Sequence, residues 1–314
     1  MQKPFIKVTK RTTNDERRTT RPVYAVILVG GKGRRLMPLS TAARPKAFLS
    51  VTADRKTMFR RTVERISRLI PEKNIIVVAN KAHAGLVKRD FRGMRKDNLL
   101  LEPAPKNTAP AIALAALALA QRCGNATMVV VPSDHYITRE TAYLKALRGA
   151  VDLVGKNRSA IVTLGIRPAF PATAYGYIKV KSKKSKVKSI CRVESFTEKP
   201  DLKTAEKFLK SGQYLWNSGI FVFNAGDMLR NLEDFAPAIW RAFRSAGIGH
   251  AGRVYNSLPD ISIDYAVMEK AGCIYCVKGS FGLKDIGSFG ALKEILLLER
   301  RRFIEKDGKV TRIL

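Results

Sequence analysis

The chain has few of the residues on which disulfide-stabilised and zinc-binding proteins depend. Its 314 residues include four cysteines and three histidines, and four cysteines in a chain of this length do not predict a disulfide framework. Cys273 and Cys276 form a C-x-x-C pair, but a zinc site needs two further ligands. The segment around them alternates as a strand does, so we interpret both cysteines as strand residues.

Long apolar segments are also missing. Residues 109–120 form the most apolar stretch, which is too short to cross a bilayer and predicts a buried helix. Residues 1–21 are basic and lack the apolar core of a secretory signal. We therefore expect a basic N-terminal extension over residues 1–21, no membrane span, and a cytoplasmic protein.

Acidic residues are scarce beside basic ones. The chain has 26 Asp and Glu against 58 Lys and Arg, which gives a formal net charge of +32. The basic residues are spread along the chain, with local runs at 10–21, 181–188 and 299–306, and no RNA-binding or zinc-finger motif accompanies them. Such a charge attracts nucleotides, sugar phosphates, RNA and anionic lipids non-specifically, and we expect no specific nucleic-acid partner.

The most informative segment is a glycine-rich loop that follows an apolar strand. After residues 24–29 come glycines and basic residues at close spacing: Gly30, Gly31, Gly33, Arg34, Arg35 and Lys46. Glycines let backbone N–H groups approach an anion closely, and the basic side chains neutralise it. The spacing of a Walker A loop is missing, and Leu36 stands where a dinucleotide-binding loop has its third glycine. The segment therefore predicts another kind of polyphosphate-binding loop, the alternative being a glycine-rich turn with solvated basic residues.

Apolar strand-like runs alternate with helix-like segments through most of the chain. The predicted strands are residues 24–29, 74–79, 127–132, 160–166, 177–181, 193–197, 219–224 and 272–277. The predicted helices are residues 58–70, 109–123, 138–155, 203–211, 225–235 and 262–271. This alternation predicts an α/β protein with a Rossmann-like, mostly parallel sheet sandwiched by helices. We expect a single domain over residues 22–298 and a basic C-terminal tail over 299–314 that leaves the core.

The loop resembles the signature of sugar-nucleotide pyrophosphorylases, and most closely that of mannose-1-phosphate guanylyltransferases. Six residues match the signature: Arg35, Pro38, Leu39, Ser40, Pro45 and Lys46. Val29 and Arg34 replace a usual alanine and a frequent threonine. Further matching segments follow in the family's order: Glu102-Pro103, Asn107–Ile112, Pro132–His135, Tyr175–Ile178, Phe196–Pro200, Trp216–Phe221, Ser262–Glu269 and Asp285–Ser288.

This resemblance implies a GT-A-like nucleotidyltransferase fold and a defined reaction. In that reaction, GMP passes from GTP to mannose 1-phosphate with the help of Mg²⁺, which gives GDP-mannose and pyrophosphate. Two alternatives stay open: a related pyrophosphorylase that uses another sugar or base, and a non-catalytic homologue that senses sugar nucleotides. The resemblance leaves a homodimer open as well.

Nucleotidyl transfer joins two anions, so its site needs cations and alignment more than a general base. The resemblance implies that Asp134 and Asp285 are the metal ligands, and Asp134 follows a predicted strand, at the end of the sheet where ligands bind. An isolated Ser-Asp-His is more typical of a turn or a helix cap. The residues before Asp285, Leu283 and Lys284, depart from the tryptophan-containing pattern of the family.

The resemblance also implies that Arg35 and Lys46 hold the triphosphate together with the glycines of the loop. Without the resemblance, Lys46 would be interpreted as a surface lysine. Whether Arg34 contacts phosphate or faces solvent stays open. With Asp134 and Lys199, the residues Arg35 and Lys46 form the predicted catalytic set.

Two further sites follow from the resemblance. The predicted sugar-phosphate site comprises Gly176, Tyr177, Glu198, Lys199, Asn217 and Asp264. The predicted site near the base and ribose comprises Asn107, Thr108 and Ala109. Each has a structural alternative: an exposed ion pair in the turn before Pro200, an Asx turn at Asn217, and a helix cap at residues 107–108. We expect Trp216 to lie in the core rather than to stack on a ligand.

Overall fold

The computed structural model describes residues 21–31, 33–181, 189–306 and 309–313. Nearly all of the expected N-terminal extension, Lys32 and most of the basic run at 181–188 lie outside these ranges. The described strands are, in chain order, β1 Val23–Val29, β2 Ile75–Asn80, β3 Leu99–Glu102, β4 Thr127–Pro132, β5 His135–Ile137, β6 Ile161–Ile166, β7 Tyr177–Val180, β8 Ile190–Thr197, β9 Tyr214–Asn224, β10 Ile274–Gly279, β11 Leu283–Asp285, β12 Phe303–Lys306 and β13 Lys309–Arg312.

The helices lie between these strands and cover both faces of the main sheet. They are α1 Met58–Ser67, α2 Ala84–Asp90, α3 Thr108–Cys123, α4 Glu140–Lys156, α5 Leu202–Ser211, α6 Ala225–Phe235, α7 Pro237–Ala246, α8 Ala251–Val254 and α9 Phe289–Leu298. The predicted helix at 262–271 is a short π-helical turn, Asp264–Met268. None of the helices in the described part of the chain is both long and apolar enough to span a membrane.

The main sheet is mixed rather than mostly parallel. Its strand order is β3-β2-β1-β4-β9-β6-β10-β8-β7, and β7 also pairs with β9. The first four strands are parallel, but β9 runs antiparallel to both β4 and β6. The strands β9, β6, β10, β8 and β7 therefore close into a five-stranded ring. The predicted α/β class is confirmed, whereas the prediction of a mostly parallel sheet is corrected, because apolar periodicity carries no information on strand direction.

Strand β1 shows how the sheet separates two layers of core. Successive side chains of a strand point to opposite faces, so Val26 packs with helices α3, α6 and α7. Ala25 and Ile27 pack on the other face with α1 and α4. Helix α1 begins where Thr57 Oγ1 accepts a hydrogen bond from Arg60 N at 3.0 Å, which caps an otherwise unpaired N–H group.

The described part of the expected basic tail over 299–314 packs against the core instead of leaving it. Arg301 is buried, and its Nη1 donates to the backbone oxygens of Ser50 and Thr52. Ile304 is fully buried in a third apolar cluster with Leu49. The buried side chains of Arg301 and Ile304 therefore help to dock the described part of this segment, although its composition is polar and basic.

Candidate active site

Two short strands bring the predicted metal ligands together. Strands β5 and β11 pair antiparallel, with His135 opposite Asp285. Asp134 directly precedes β5, so its carboxylate lies beside that of Asp285. Strands of three residues leave almost no periodic signal, which is why the sequence analysis did not predict this pairing.

Lys46 lies between the two carboxylates. Its Nζ is 2.7 Å from Asp134 Oδ2 and 2.8 Å from Asp285 Oδ1, and the lysine side chain is only 14% exposed. Burial opposes the charge of the ammonium group, but the two carboxylates outweigh that effect and raise the pKa of Lys46 above its ordinary value. Burial likewise opposes the charge of Asp285, whereas Lys46 and nearby His135 lower its pKa. Lys46 is thus a mostly buried, charged residue and not a surface lysine.

The chemistry of this donor set fits a hard divalent cation. Mg²⁺ is usually held by one or two carboxylates, with water and substrate phosphates completing its six ligands. Within the described ranges, no group of three or more His, Cys, Asp or Glu side chains could enclose an ion. Asp134 and Asp285 already converge on one positive charge, so they can supply two oxygens to a metal whose remaining ligands come from a phosphate.

The glycine-rich loop passes directly over the side chain of Lys46. Gly31 and Gly33 have φ angles of +92° and +56°, which glycine adopts at little cost. A Cβ atom on Gly33 would overlap Ser40 Oγ, and one on Gly31 would lie 3.8 Å from Lys46 Cε. Ser40 Oγ donates to Gly33 O at 2.5 Å and holds the loop in this shape. Gly30 is exposed at the start of the loop, and the side chain of Arg34 lies outside the described part.

Arg35 supplies a second cation at the edge of the carboxylate pair. Its side chain is exposed, and its Nη2 would be 3.1 Å from a Cβ atom added to Gly287. Arg35 also contributes to the lowered pKa of Asp285. The predicted phosphate ligands Arg35 and Lys46 therefore flank one site together with both predicted metal ligands.

A cleft next to Asp285 contains most of the predicted sugar-phosphate residues. Its lining includes Gly176, Glu198, Asn217 and Asp264, together with Asp285 itself. The two predicted sites are therefore neighbours on the same side of the protein.

Asn217 is the central polar residue of this cleft. Its Oδ1 accepts hydrogen bonds from Thr163 Oγ1 at 3.0 Å and from Gly219 N at 3.2 Å. Its Nδ2 donates to Asp264 Oδ1 at 3.0 Å. Burial and the neighbouring carboxylate of Glu198 raise the pKa of Asp264 to about 7. These hydrogen bonds hold the Asn217 amide in one orientation. The amide in turn fixes the carboxyl group of Asp264, which lines the cleft.

Glu198 and Lys199 lie on a tight turn at the end of β8. Lys199 has a φ angle of +46°, a conformation that side-chain-bearing residues rarely adopt. Glu198 N donates to Glu269 Oε1 at 3.2 Å, and Lys199 Nζ pairs with the buried carboxylate of Glu198. Burial opposes the charge of Lys199, but Glu198 raises its pKa. The ion pair predicted for this turn is present, and it borders the cleft.

Tyr177 and Trp216 lie differently with respect to the cleft. The ring of Tyr177 is fully buried and packs on Phe208, with the ring centroids 5.3 Å apart. Its side chain belongs to the core and not to the cleft, so only its backbone can face a sugar. Trp216 lines the cleft and packs edge-on against Tyr175. Trp216, which was expected in the core, therefore lines the site.

The residues expected near the base lie at the start of α3. Asn107 has a φ angle of +65°, and its Oδ1 accepts from Thr108 N at 3.0 Å. Thr108 Oγ1 accepts from Ile263 N at 2.8 Å, and Ala109 N donates to Ile261 O at 3.1 Å. The three residues do not line the cleft; they anchor the segment that precedes Asp264. Their contact with a base stays a prediction.

Three residues of the site received no predicted binding or catalytic role. His135 lines the cleft, its Nδ1 is buried without a partner among the described atoms, and burial lowers its pKa. Tyr175 also lines the cleft, and Glu269 holds the turn at Glu198. All three lie within the matching segments Pro132–His135, Tyr175–Ile178 and Ser262–Glu269, but the signature alone did not show that their side chains reach the site.

Comparisons with known proteins find similar sequences over most of the chain. The nucleotidyl transferase family model matches residues 24–298. A mannose-1-phosphate guanylyltransferase of Sinorhizobium fredii (strain NBRC 101917 / NGR234) is 37% identical over 282 residues, which are 86% of this chain and 54% of the relative. The mannose-1-phosphate guanylyltransferase RfbM of Salmonella typhimurium is 38% identical over 295 residues, 90% of this chain and 60% of the relative. This chain thus spans about half to three fifths of the length of these relatives.

One solved structure is similar to this chain over most of the length of both proteins. The crystal structure described as mannose-1-phosphate geranyltransferase from Thermus thermophilus has 34% sequence identity and a TM-score of 0.77. The similarity covers 87% of this chain and 78% of the other.

Proposed function

The chain belongs to the nucleotidyl transferase family, and we propose that it transfers GMP from GTP to mannose 1-phosphate, releasing pyrophosphate and forming GDP-mannose. One observation carries this proposal: Lys46, Asp134 and Asp285 meet under the glycine-rich loop, and a cleft lined by Glu198, Asn217 and Asp264 opens beside them. This arrangement offers one site to a triphosphate and a second site to a hydroxyl-rich sugar phosphate.

The residues divide the work of the reaction between the two sites. Gly31 and Gly33 let backbone groups approach the triphosphate, while Arg35 and Lys46 neutralise its charge. A phosphate oxygen of the sugar phosphate attacks the α-phosphorus, the bond to the β-phosphate oxygen breaks, and pyrophosphate leaves with the electron pair. The attacking oxygen is already ionised at neutral pH, so these residues mainly align two anions and offset their repulsion.

Asp134 and Asp285 would hold the divalent cation, which we propose to be Mg²⁺. When bound, this ion neutralises charge on the triphosphate and orients its α-phosphate. Lys199, whose ammonium pairs with Glu198 at the border of the cleft, would pair with the phosphate of the sugar. Glu198, Asn217 and Asp264, which line the cleft, would bind its hydroxyls. The family match over 24–298 supports a nucleotidyltransferase unit of about the predicted extent, 22–298.

A substrate panel tests this proposal. Purified protein is incubated with each of GTP, UTP, dTTP and ATP, each combined with mannose 1-phosphate or another sugar 1-phosphate and Mg²⁺, and pyrophosphate release is measured. The expected result is release with GTP and mannose 1-phosphate. Release only with another base or sugar would contradict the assignment, and no release with any pair would contradict an enzymatic function.

A matched pair of variants tests whether the reaction takes place at this site. Asp134→Asn removes one carboxylate charge, and we expect kcat to fall by about two to three orders of magnitude. Asp152→Asn makes the same change at an exposed position of α4 and should leave kcat unchanged.

A further inference from the structure

The position of Lys46 has a consequence for the order in which ligands bind. Asp134 and Asp285 are the described carboxylates beside the glycine-rich loop that can take a metal, and both already contact Lys46 Nζ, at 2.7 and 2.8 Å. An ammonium nitrogen at these distances from both carboxylates occupies the space that a shared cation would need. Lys46 and a divalent ion therefore compete for the same pair of oxygens.

The stem of the same lysine lies against the loop. A Cβ atom on Gly31 would be 3.8 Å from Lys46 Cε, and one on Gly33 would be 3.7 Å from Lys46 Cβ. A triphosphate held by this loop is thus within reach of Nζ once a few side-chain torsions change. Lysine is suited to such a movement because its ammonium is a point charge on a flexible four-carbon stem.

We propose that Lys46 acts as an exchangeable counter-ion: it neutralises Asp134 and Asp285 until a nucleoside triphosphate in the loop draws it away, which frees both carboxylates for the metal. This inference rests on the proposed function, because it takes the loop as the triphosphate site. Triphosphate and metal then bind cooperatively, since each removes an interaction that opposes the other. In the protein without nucleotide, Lys46 weakens metal binding.

Mn²⁺ binding to the nucleotide-free protein tests this directly. Binding is measured by electron paramagnetic resonance or calorimetry for the wild type and for Lys46→Met, which keeps the length of the side chain and removes its charge. We expect Lys46→Met to bind Mn²⁺ about tenfold more tightly or better, because two uncompensated carboxylates attract a divalent ion more strongly. Equal or weaker binding by a variant that unfolds at the wild-type temperature would overturn the proposal.

Lys284→Met is the matched control for charge. Lys284 precedes Asp285 in β11, but its Nζ pairs with Glu294 of α9 instead of the site carboxylates. Its removal lowers the net charge by the same amount and should change Mn²⁺ affinity by less than about twofold, because the charge is solvent-screened. A gain equal to that of Lys46→Met would mean that the general positive field, and not the bridging lysine, limits metal binding.

A second measurement tests whether the two carboxylates oppose the binding of the triphosphate by holding Lys46. Without metal, in EDTA, Asp285→Asn releases one partner of Lys46, so we expect it to bind GTP about threefold to tenfold more tightly than the wild type. Unchanged or weaker GTP binding would count against the exchange. These binding assays are independent of turnover: a protein that releases no pyrophosphate but gains Mn²⁺ affinity in Lys46→Met contradicts the proposed reaction and leaves the counter-ion exchange in place.

Discussion

Glu299 connects the C-terminal segment to the strand that follows Asp134. Tyr136 Oη donates to Glu299 Oε1 at 2.7 Å, and Ala53 N donates to Glu299 Oε2 at 2.8 Å. Glu299→Ala removes both hydrogen bonds to a charged acceptor, so we expect the free energy of unfolding to fall by about 1–3 kcal/mol. Denaturant unfolding measures this loss.

Glu294→Ala is the control for that change. Glu294 lies on α9, the helix that ends just before Glu299, and its side chain is 63% exposed in an ion pair with Lys284. Exposed pairs contribute little, so unfolding should change by less than about 0.5 kcal/mol. Equal losses in the two variants would mean that Glu299 has no special role in docking the segment.

Gly176 sets the position of Glu198 in the cleft. A Cβ atom at Gly176 would overlap Glu198 Oε2 and lie 3.3 Å from the ring of Phe196. In Gly176→Ala the carboxylate must move, so we expect KM for mannose 1-phosphate to rise about tenfold or more while KM for GTP changes little. Initial-rate kinetics with each substrate varied in turn separates the two constants.

Gly149→Ala is the matched substitution. Gly149 lies inside α4 with nothing within 4 Å of an added Cβ atom, so alanine should stabilise the helix by up to about 1 kcal/mol and leave both KM values unchanged. A rise in KM for mannose 1-phosphate in this variant too would show that the effect is not local to the cleft.

Arg35 is exposed, so its removal should affect activity far more than stability. We expect Arg35→Ala to lower kcat/KM for GTP by about 100-fold, because a cation beside the leaving phosphates is lost. Its free energy of unfolding should stay within about 0.5 kcal/mol of the wild type. Arg68→Ala, which removes an exposed arginine that follows α1 and pairs with Glu140 of α4, should keep full kcat/KM. Activity that survives in Arg35→Ala would remove this residue from the triphosphate site.

Asp264 makes stability depend on pH with a defined sign. Burial raises its pKa from the usual 3.8 to about 7, so the folded protein binds this proton more tightly than the unfolded chain does. The contribution is fully present below pH 3.8 and is lost as the pH rises through 7. Asp264→Asn keeps an oxygen for Asn217 but cannot titrate, so the variant should gain stability relative to the wild type as the pH rises.

Denaturant unfolding at several pH values across that window gives the difference between the two proteins. Glu102, whose pKa burial also raises to about 7, is present in both and cancels in the comparison. A difference that does not change with pH would show that Asp264 titrates normally in the folded protein.

Trp216 should report the binding of a sugar phosphate. It lines the cleft, whereas Trp240, the other tryptophan of the chain, packs against the core from α7. We expect mannose 1-phosphate to change the tryptophan fluorescence of the wild type and of Trp240→Phe, and to leave that of Trp216→Phe unchanged. A signal that disappears in Trp240→Phe instead would place the sugar elsewhere.

The long, apolar elements could be predicted from the sequence because burial on one or both faces dictates their composition. Strand Thr127–Pro132 and helix Ala225–Phe235 have the predicted bounds. Strand Leu99–Glu102, with four residues, and the pair that joins Asp134 to Asp285 were missed. Their positions come from long-range pairing, which local periodicity does not encode.

The membership of the candidate site could be predicted in part. Motifs named Lys46, Asp134 and Asp285 as functional, but not that the lysine bridges the two carboxylates. Likewise, Trp216 was expected in the core because tryptophan is usually buried; only the fold shows that one face of it borders the cleft. The distances between these side chains, and whether a side chain faces the core or the cleft, depend on tertiary packing. No single segment of the sequence encodes them.

The contact between Lys46 and Asp285 joins residues 239 positions apart in the chain. Closing so long a loop has an entropic cost, although this cost grows only slowly with loop length. During synthesis on the ribosome, the glycine-rich loop and its strand emerge long before the second carboxylate does. The proposed active site is therefore incomplete until β11 has been synthesised and has paired with β5.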